Sequence, residues 1–333
     1  MTRHIILVER PSGVPTAATF GIQERPAPTP NAGEMLVQPK VFSLDAAIRG
    51  LLDDRPFYLP PVVVGEPIMG MSLGEVVDSR NPDYPVGTFV RAMGTWSEQC
   101  VFSADSLGLE RVHPKPGVDL GHYMGALGPV GLTAWIGMLH IGQAKAGDTM
   151  LVSAAAGATG SAAGQVAKIR GCRVIGLVGT DEKAATIRDL GFDVAINYKT
   201  TPDLAAAIRA AAPDGINVFF DNVGGATLET VLPLMATFGR VIVCGMIGDY
   251  NDQDNPYGVK TLWQLVVNRV SMHGFLTYDF PELLDEAQAD LERWVASGAL
   301  KPITNIRHGF ERIPEAFIDL MSGRTTGKTL VTI

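Results

Sequence analysis

The stretch 149–183, TMLVSAAAGATGSAAGQVAKIRGCRVIGLVGTDEK, restricts the possible folds more than any other part of the chain. It predicts a strand running into Ala155-Ala156-Gly157-Ala158-Thr159-Gly160, a helix starting near Ser161, and a second strand, RVIGLVG. The pattern is A-x-G-x-x-G, a variant of the dinucleotide-binding turn with alanine in the first position. Gly157 lets the backbone approach a pyrophosphate, and Gly160 with Gly164 lets the helix pack closely on the sheet. The helix N-terminus offers free N–H groups and a partial positive charge to the phosphates. Such a pattern alone is weak, but a strand before it and a helix, a glycine and a strand after it make it specific. The competing reading is a small-residue helix packed on a sheet with no ligand.

If the ligand were NAD, the second strand should end in an acid that accepts both ribose hydroxyls. Gly179-Thr180 stands there instead, with Asp181 further on and then Lys183. A missing acid followed by a cation favours a 2′-phosphate and hence NADP(H). Lys183 also fits solvated helix surface.

At 333 residues the chain exceeds what one hydrophobic core usually takes, so two domains are expected. Residues 1–125 read as β-rich: HIILVE, EMLVQPKVF, GEVVDS and TFVRAMG are separated by Pro and Gly punctuation. From 126 the texture changes to strands (TMLVSAAAG, RVIGLVG, VAINY, INVFFDNVGG, RVIVCG, RVSMHGFL) alternating with amphipathic stretches. That rhythm implies βαβ units and a mostly parallel sheet, an α/β architecture. DFPELLDEAQADLERWVASG is the clearest helix, with Asp279 as its cap, Pro281 near its start and Gly298 as its stop. Its apolar face is Leu284, Ala287, Leu291, Trp294 and Val295. The tail from 302 returns to short strands ending GKTLVTI, so a sheet domain over 126–301 is expected inside a β domain made of 1–125 and 302–333.

The formal charge of −8 argues against a nucleic-acid or anionic-membrane surface. No apolar run reaches the roughly 18 residues needed to cross a bilayer. The opening MTRHIILVERPSG turns polar too soon for a signal peptide, so a cytoplasmic protein is expected. Cys100, Cys172 and Cys244 lie far apart, which disfavours a disulfide framework or a structural zinc site. Gly70-Met71-Ser72-Leu73-Gly74 fits the G-x-S-x-G pattern of a hydrolase nucleophile. That reading needs a strand–elbow–helix context, whereas a strand-like run and the turn SRNPDYPVG follow. Ser72 is therefore expected to be an ordinary sheet serine.

Strand–AAAGATG–helix, then GTDEK, GFDVAINYKT, FFDNVGG, VCGMIGDYN and the closing TGKTLV resemble the zinc-independent medium-chain dehydrogenase/reductases. The likeness is to the leukotriene B4 12-hydroxydehydrogenase/prostaglandin reductase branch, with its 2-alkenal and curcumin double-bond reductases. It runs over essentially the whole chain, with SLDAAIRG and LGPVGLTAWIGM in the first half. The resemblance implies a doubly wound Rossmann sheet holding NADPH, inserted into a GroES-like β-barrel domain holding the substrate, and a homodimer. By position it implies that Gly157, Ala158, Thr159 and Gly160 hold the pyrophosphate, and Lys183 and Tyr198 the 2′-phosphate. Asn222 matches a cofactor-contacting asparagine. Cys244, Gly245, Met246 and the run to Tyr250, together with Phe275, Leu276 and Thr277, match loops bordering the nicotinamide. Thr133 matches a residue near the nicotinamide amide. The chain departs from the family at two places. Thr325 stands where an asparagine near the cofactor phosphates is common, and Asp45-Ala46-Ala47-Ile48-Arg49-Gly50 lacks the tyrosine of D-P-Y-M-R-G. A roomier, more apolar pocket is expected from the second.

The activity so implied is NADPH-dependent reduction of an activated C=C bond in a small apolar α,β-unsaturated aldehyde or ketone. Hydride goes to the β-carbon, charge collects on the carbonyl oxygen, and a proton must reach the α-carbon. Tyr250, in GMIGDYN, is the first choice for a polar group at the reacting centre, although a packing or surface tyrosine fits the same position. Zinc relatives carry a cysteine after an early strand and a G-H-E motif. KVFSLDAAIRG has no cysteine, and Met71 and Ser72 stand where the histidine and glutamate would be. His4, His113, His122, His140, His273 and His308 do not cluster as ligands in sequence, so no metal is expected. A quinone reductase or a carbonyl/alcohol oxidoreductase on the same scaffold is the nearest rival. A non-enzymatic NADPH-binding protein is a further one.

Overall fold

The structure is a computed structural model that describes residues 1–55, 57–252 and 254–333. It divides into two compact units, one formed by Met1–Met124 with Thr304–Ile333 and the other by Gly125–Ile303. The first unit carries β1 (Thr2–Leu7), β2 (Phe20–Arg25), β3 (Glu34–Ser43), β4 (Met69–Ser79), β5 (Phe89–Thr95), β6 (Cys100–Ser103) and β7 (Glu110–Val112). The second carries β8 (Thr149–Val152), β9 (Arg173–Val178), β10 (Val194–Asn197), β11 (Ile216–Asp221), β12 (Met235–Val243) and β13 (Ser271–Gly274). The chain then returns to the first unit for β14 (Thr304–His308) and β15 (Lys328–Thr332).

In the first unit β1 and β2 form a hairpin-like pair, and the other strands form a mixed sheet in the order β14-β15-β3-β4-β5-β7. β3 is long enough to carry two partners end to end along one edge. β6 pairs with Glu34–Val37 and β15 with residues 41–43, while β4 runs antiparallel along the other edge. Pro39, which cannot donate to a ladder, sits where the β3–β4 register shifts. Opposite it, Gly74 has no room for a side chain, because a Cβ would lie 2.3 Å from the Gln38 carbonyl oxygen. A Cβ on Gly70 would lie 2.4 Å from Nε1 of the buried Trp96. Both glycines of GMSLGEVV are therefore demanded by packing inside a strand. Ser72, fully buried between them, has no hydrogen-bond partner for its Oγ among the described residues. A hydroxyl without a base is no nucleophile.

The second unit is a six-stranded, wholly parallel sheet in the order β10-β9-β8-β11-β12-β13. Chain order reverses between β8 and β11, the switch point at which open α/β sheets bind ligands. Val174, Ile175, Leu177, Val218, Phe219 and Phe220 are almost fully buried, as expected for strands covered on both faces. The helix after the glycine-rich turn spans Ala158–Ile169, three residues earlier than the sequence suggests. Ala154 adopts a left-handed φ of 47° and reverses the chain at once, so Ser161 N–H already closes the first helical bond on Gly157 O. Gly160 and Gly164 are needed for contact: a Cβ would come within 2.4 Å of Ala154 O and 1.9 Å of the Phe192 ring, respectively.

The helix Leu284–Ser297 buries Ala287, Leu291 and Trp294 and ends at Gly298 in the left-handed conformation. Asp279 does not cap it. That residue closes a separate single turn, Thr277–Asp279, and a second short turn beginning at Pro281 intervenes before Leu284. Among the described residues no helix is long and apolar enough to cross a membrane.

Gly164→Ala should lower the unfolding free energy by about 1–3 kcal/mol, because the methyl group has to displace Phe192. Denaturant titration reads the loss, and a second change, Phe192→Leu, should recover part of it.

Candidate functional site

The six parallel strands all end on one edge, and that edge carries nearly all the residues singled out in the sequence. In spatial order it presents Tyr198 after β10, Lys183 after β9 and Gly157–Gly160 after β8. Asn222 follows β11, Cys244–Tyr250 follow β12, and Phe275–Thr277 follow β13. Five inter-strand steps of about 4.8 Å make the row roughly 24 Å long, enough for an extended dinucleotide.

The switch point is held by buried polar groups. Ser153 Oγ–H donates to Asp221 Oδ1 at 2.7 Å, so the end of β8 is tied to the end of β11. The Val223 and Gly224 N–H groups donate to the same carboxylate at 2.9 and 3.1 Å. Burial nevertheless holds the Asp221 carboxyl above its ordinary pKa, against the stabilising donors. Asn222 donates through its backbone N–H to Ser153 Oγ and through Nδ2 to Ser153 O, each at 2.8 Å. The next loop is fastened to this one by Ile247 N–H to Asn222 O (3.1 Å) and Gly248 N–H to Val223 O (3.0 Å).

The glycine-rich turn fits a diphosphate. Gly157 is extended and precedes the helix with no side-chain cap, so the first N–H groups could meet an anion. A Cβ added at Gly157 would meet only Ala154 O, at 3.1 Å, among the described residues; the rest of that face is open to close backbone approach.

At the other end of the row the Tyr198 hydroxyl and Lys199 Cε lie 3.1 and 3.3 Å from the position a Gly179 Cβ would take. Lys183, half-buried in the first turn of the helix Asp181–Asp189, is held below the ordinary lysine pKa by burial and by the Lys199 charge. Two ammonium groups and a phenol therefore share one neighbourhood, a donor set suited to a phosphate dianion. Lys199 was missed in the sequence, although NYKT places it directly after Tyr198.

Around the far loops Tyr250 folds back on its own segment. Its oxygen accepts a long bond from Met246 N–H (3.4 Å) and lies 3.3 Å from a Cβ built on Gly245. Burial raises its pKa, so the phenol keeps its proton. Met246 packs on Gly224. Phe275 is turned inward, its ring 3.0 Å from a Cβ position on Gly137, while Leu276 is exposed. Thr133 donates its hydroxyl to Pro129 O at 2.7 Å, so toward a carboxamide it can only accept. Thr325 belongs to the first unit, where it is buried just before β15.

In the first unit Ala46 and Ala47 begin the short helix Ile48–Leu51 and are half-buried. The Phe57 ring lies over Gly50, about 3.0 Å from a Cβ position there, and pairs with Tyr58 at 4.5 Å between centroids. The two rings wall an open cavity of about 500 Å³ together with Arg55, Leu59 and Pro60. Among the described residues no three His, Cys, Asp or Glu side chains converge as metal ligands.

Cys244 is half-buried, and burial, then the Asp221 carboxylate, pushes its thiol up to about 12. Burial also raises Cys100, and Cys172 to about 11. Iodoacetamide at neutral pH should leave all three unmodified in the native chain and alkylate all three in denaturant, as mass spectrometry would show.

Two family models and several known proteins match the chain. Residues 3–110 match the family described as the N-terminal domain of oxidoreductase, and residues 158–291 the family described as zinc-binding dehydrogenase. The chain is 35% identical to the NADPH-dependent curcumin reductase of Escherichia coli, over 99% of this chain and 96% of that one. It is 37% identical to prostaglandin reductase 1 of Rattus norvegicus, over 96% and 95%. The crystal structure of CurA from Vibrio vulnificus in complex with NADPH superposes with a TM-score of 0.92 at 36% identity, covering 99% of this chain and 98% of that one. Likeness of this extent in both units shows that the chain belongs to the medium-chain dehydrogenase/reductases, in the double-bond reductase branch that holds curcumin reductase and prostaglandin reductase 1.

Proposed function

We propose that this chain is an NADPH-dependent reductase of the activated C=C bond of small, apolar α,β-unsaturated aldehydes and ketones, working without a metal. The observation that carries the reading is the single row along the parallel sheet: a phosphate cluster at one end, a glycine-rich turn in the middle, and a protonated phenol toward the other end. The names of the relatives, curcumin reductase and prostaglandin reductase, support the same chemistry. Residues 1–124 with 304–333 would form the substrate domain and 125–303 the cofactor domain.

Gly157–Gly160 would hold the pyrophosphate through backbone N–H groups, and Lys183, Tyr198 and Lys199 the 2′-phosphate. Asn222, Cys244–Met246, Phe275–Thr277 and the Thr133 oxygen would border the nicotinamide. NADPH, when bound, supplies a hydride to the β-carbon. The Tyr250 phenol, kept protonated by burial, would donate to the carbonyl oxygen on which charge gathers. The aromatic wall of Phe57 and Tyr58 suits an apolar acceptor. Metal independence is supported by Met71 and Ser72 at the positions where zinc relatives keep ligands.

We further propose a homodimer. The edge strand β13, including Met272, is exposed along its whole length, and Leu262, Trp263, Val266 and Val267 shortly before it in sequence are exposed apolar residues. Three unpaired cysteines and the absence of a membrane-crossing helix among the described residues support a cytoplasmic location.

Oxidation of NADPH and NADH at 340 nm, with product identification, should show saturated ketones formed from enones; conversion of ketones to alcohols without C=C reduction would refute the assignment. Lys183→Ala should weaken NADPH about 10- to 100-fold, the worth of a hydrogen bond to a charged group, and leave NADH nearly unchanged. Tyr250→Phe should lower kcat with little effect on NADPH affinity, and an unchanged kcat would remove the phenol from the chemistry. Light scattering should give a dimer that Trp263→Glu weakens.

A further inference from the structure

The acid nearest the end of β9 is not left free to meet a ribose. Asp181 opens the helix Asp181–Asp189, two positions beyond Gly179. Its Oδ1 accepts a hydrogen bond of 2.8 Å from Nδ2 of Asn197, the last residue of β10, which is only 9% exposed. The other end of the same amide is also used, since Asn197 Oδ1 accepts from Lys199 N–H at 3.2 Å. The Asn197 carbonyl oxygen accepts from Thr201 N–H (3.0 Å) and Thr201 Oγ1 (2.8 Å), so the turn after β10 is built on this residue.

Two opposed preferences meet here. A carboxylate at the end of the second strand favours a ribose with both hydroxyls free and repels a 2′-phosphate. Ammonium groups at the same place do the reverse. With Asp181 held from the side by a buried amide, the surface beside Gly179 is formed by the Tyr198 hydroxyl and the Lys199 side chain, with Lys183 adjoining.

We propose that Asn197 is the positioning residue for cofactor choice, withholding the Asp181 carboxylate with one end of its amide and setting Lys199 with the other. The inference rests on residues 179–199 being the 2′-phosphate site. Asn197→Ala would free Asp181 to swing toward the ribose, so NADH binds more tightly and NADPH less tightly.

The test measures dissociation constants of the full chain for NADPH and NADH by nicotinamide fluorescence. It also measures those for 2′,5′-ADP and 5′-AMP by calorimetry, so the readout is independent of turnover. The unaltered chain should prefer NADPH and 2′,5′-ADP; preference for NADH and 5′-AMP would overturn the 2′-phosphate reading itself. In Asn197→Ala the ratio of the NADH to the NADPH constant should fall about tenfold, the value of one hydrogen bond to a charged group. Adding Asp181→Ala should restore the ratio, because a merely structural defect at 197 would not be repaired by deleting an exposed acid. An unchanged ratio in Asn197→Ala, or no recovery in the double variant, would overturn the inference and leave the phosphate site standing. If the alanine variant does not fold, Asn197→Ser is read by the same two criteria.

Discussion

A carboxylate placed where no water reaches must be met by donors, and Asp221 is such a group. Its oxygens take the Ser153 hydroxyl from one strand and two N–H groups from the loop that follows its own strand. The bond to Ser153 joins the two strands between which the chain order reverses, and the bonds to Val223 and Gly224 fix the loop beyond. The segment from Cys244 is in turn laid on that loop, with Cys244 N–H on Asp221 O at 2.8 Å. The middle of the sheet edge is therefore one connected frame. The glycine-rich turn stands on it because Ser153 immediately precedes Ala154, the residue whose left-handed backbone starts the turn.

The other unit relies on buried cations. Arg49 is 2% exposed and donates to Gly13 O and Pro11 O, with Asp53 as its ion-pair partner at 2.8 Å. Lys328 is equally buried, donates to Leu44 O and pairs with Asp45. The motifs SLDAAIRG and TGKTLV lie far apart in sequence yet form one device: the lysine of the second holds the start of the first, and the arginine of the first holds the loop at 11–13. Removing Asp53 or Asp45 would leave the buried Arg49 or Lys328 cation without its partner in the interior, which is costlier than never having placed it there.

The parallel strands of the second unit were readable because strands buried on both faces are nearly continuous apolar runs. The short or half-exposed β2, β6 and β7 lack that signature, so the sequence does not announce them. The helix start was misjudged because an alanine took a backbone conformation usually left to glycine. Asp279 has the composition of a cap, but the turn starting at Pro281 separates it from the helix. The glycines of GMSLGEVV show the limit of motif reading. The same spacing serves a nucleophile elsewhere, and here it only makes room for Trp96 and for the backbone opposite Pro39. Lys199 and the Asn197–Asp181 bond depend on how the ends of β9 and β10 lie side by side, which no local pattern announces.

Enones and enals are electrophiles that add to thiolates, so the proposed activity would set this chain among compounds able to alkylate it. Cys244 stands in the loop proposed to border the nicotinamide. The deprotonated sulfur is the reactive form, and here burial, followed by the nearby Asp221 carboxylate, opposes deprotonation. Burial and the carboxylate that organises the sheet edge thus act together as chemical armour, keeping the neighbouring sulfur in the form that the proposed substrates attack slowly.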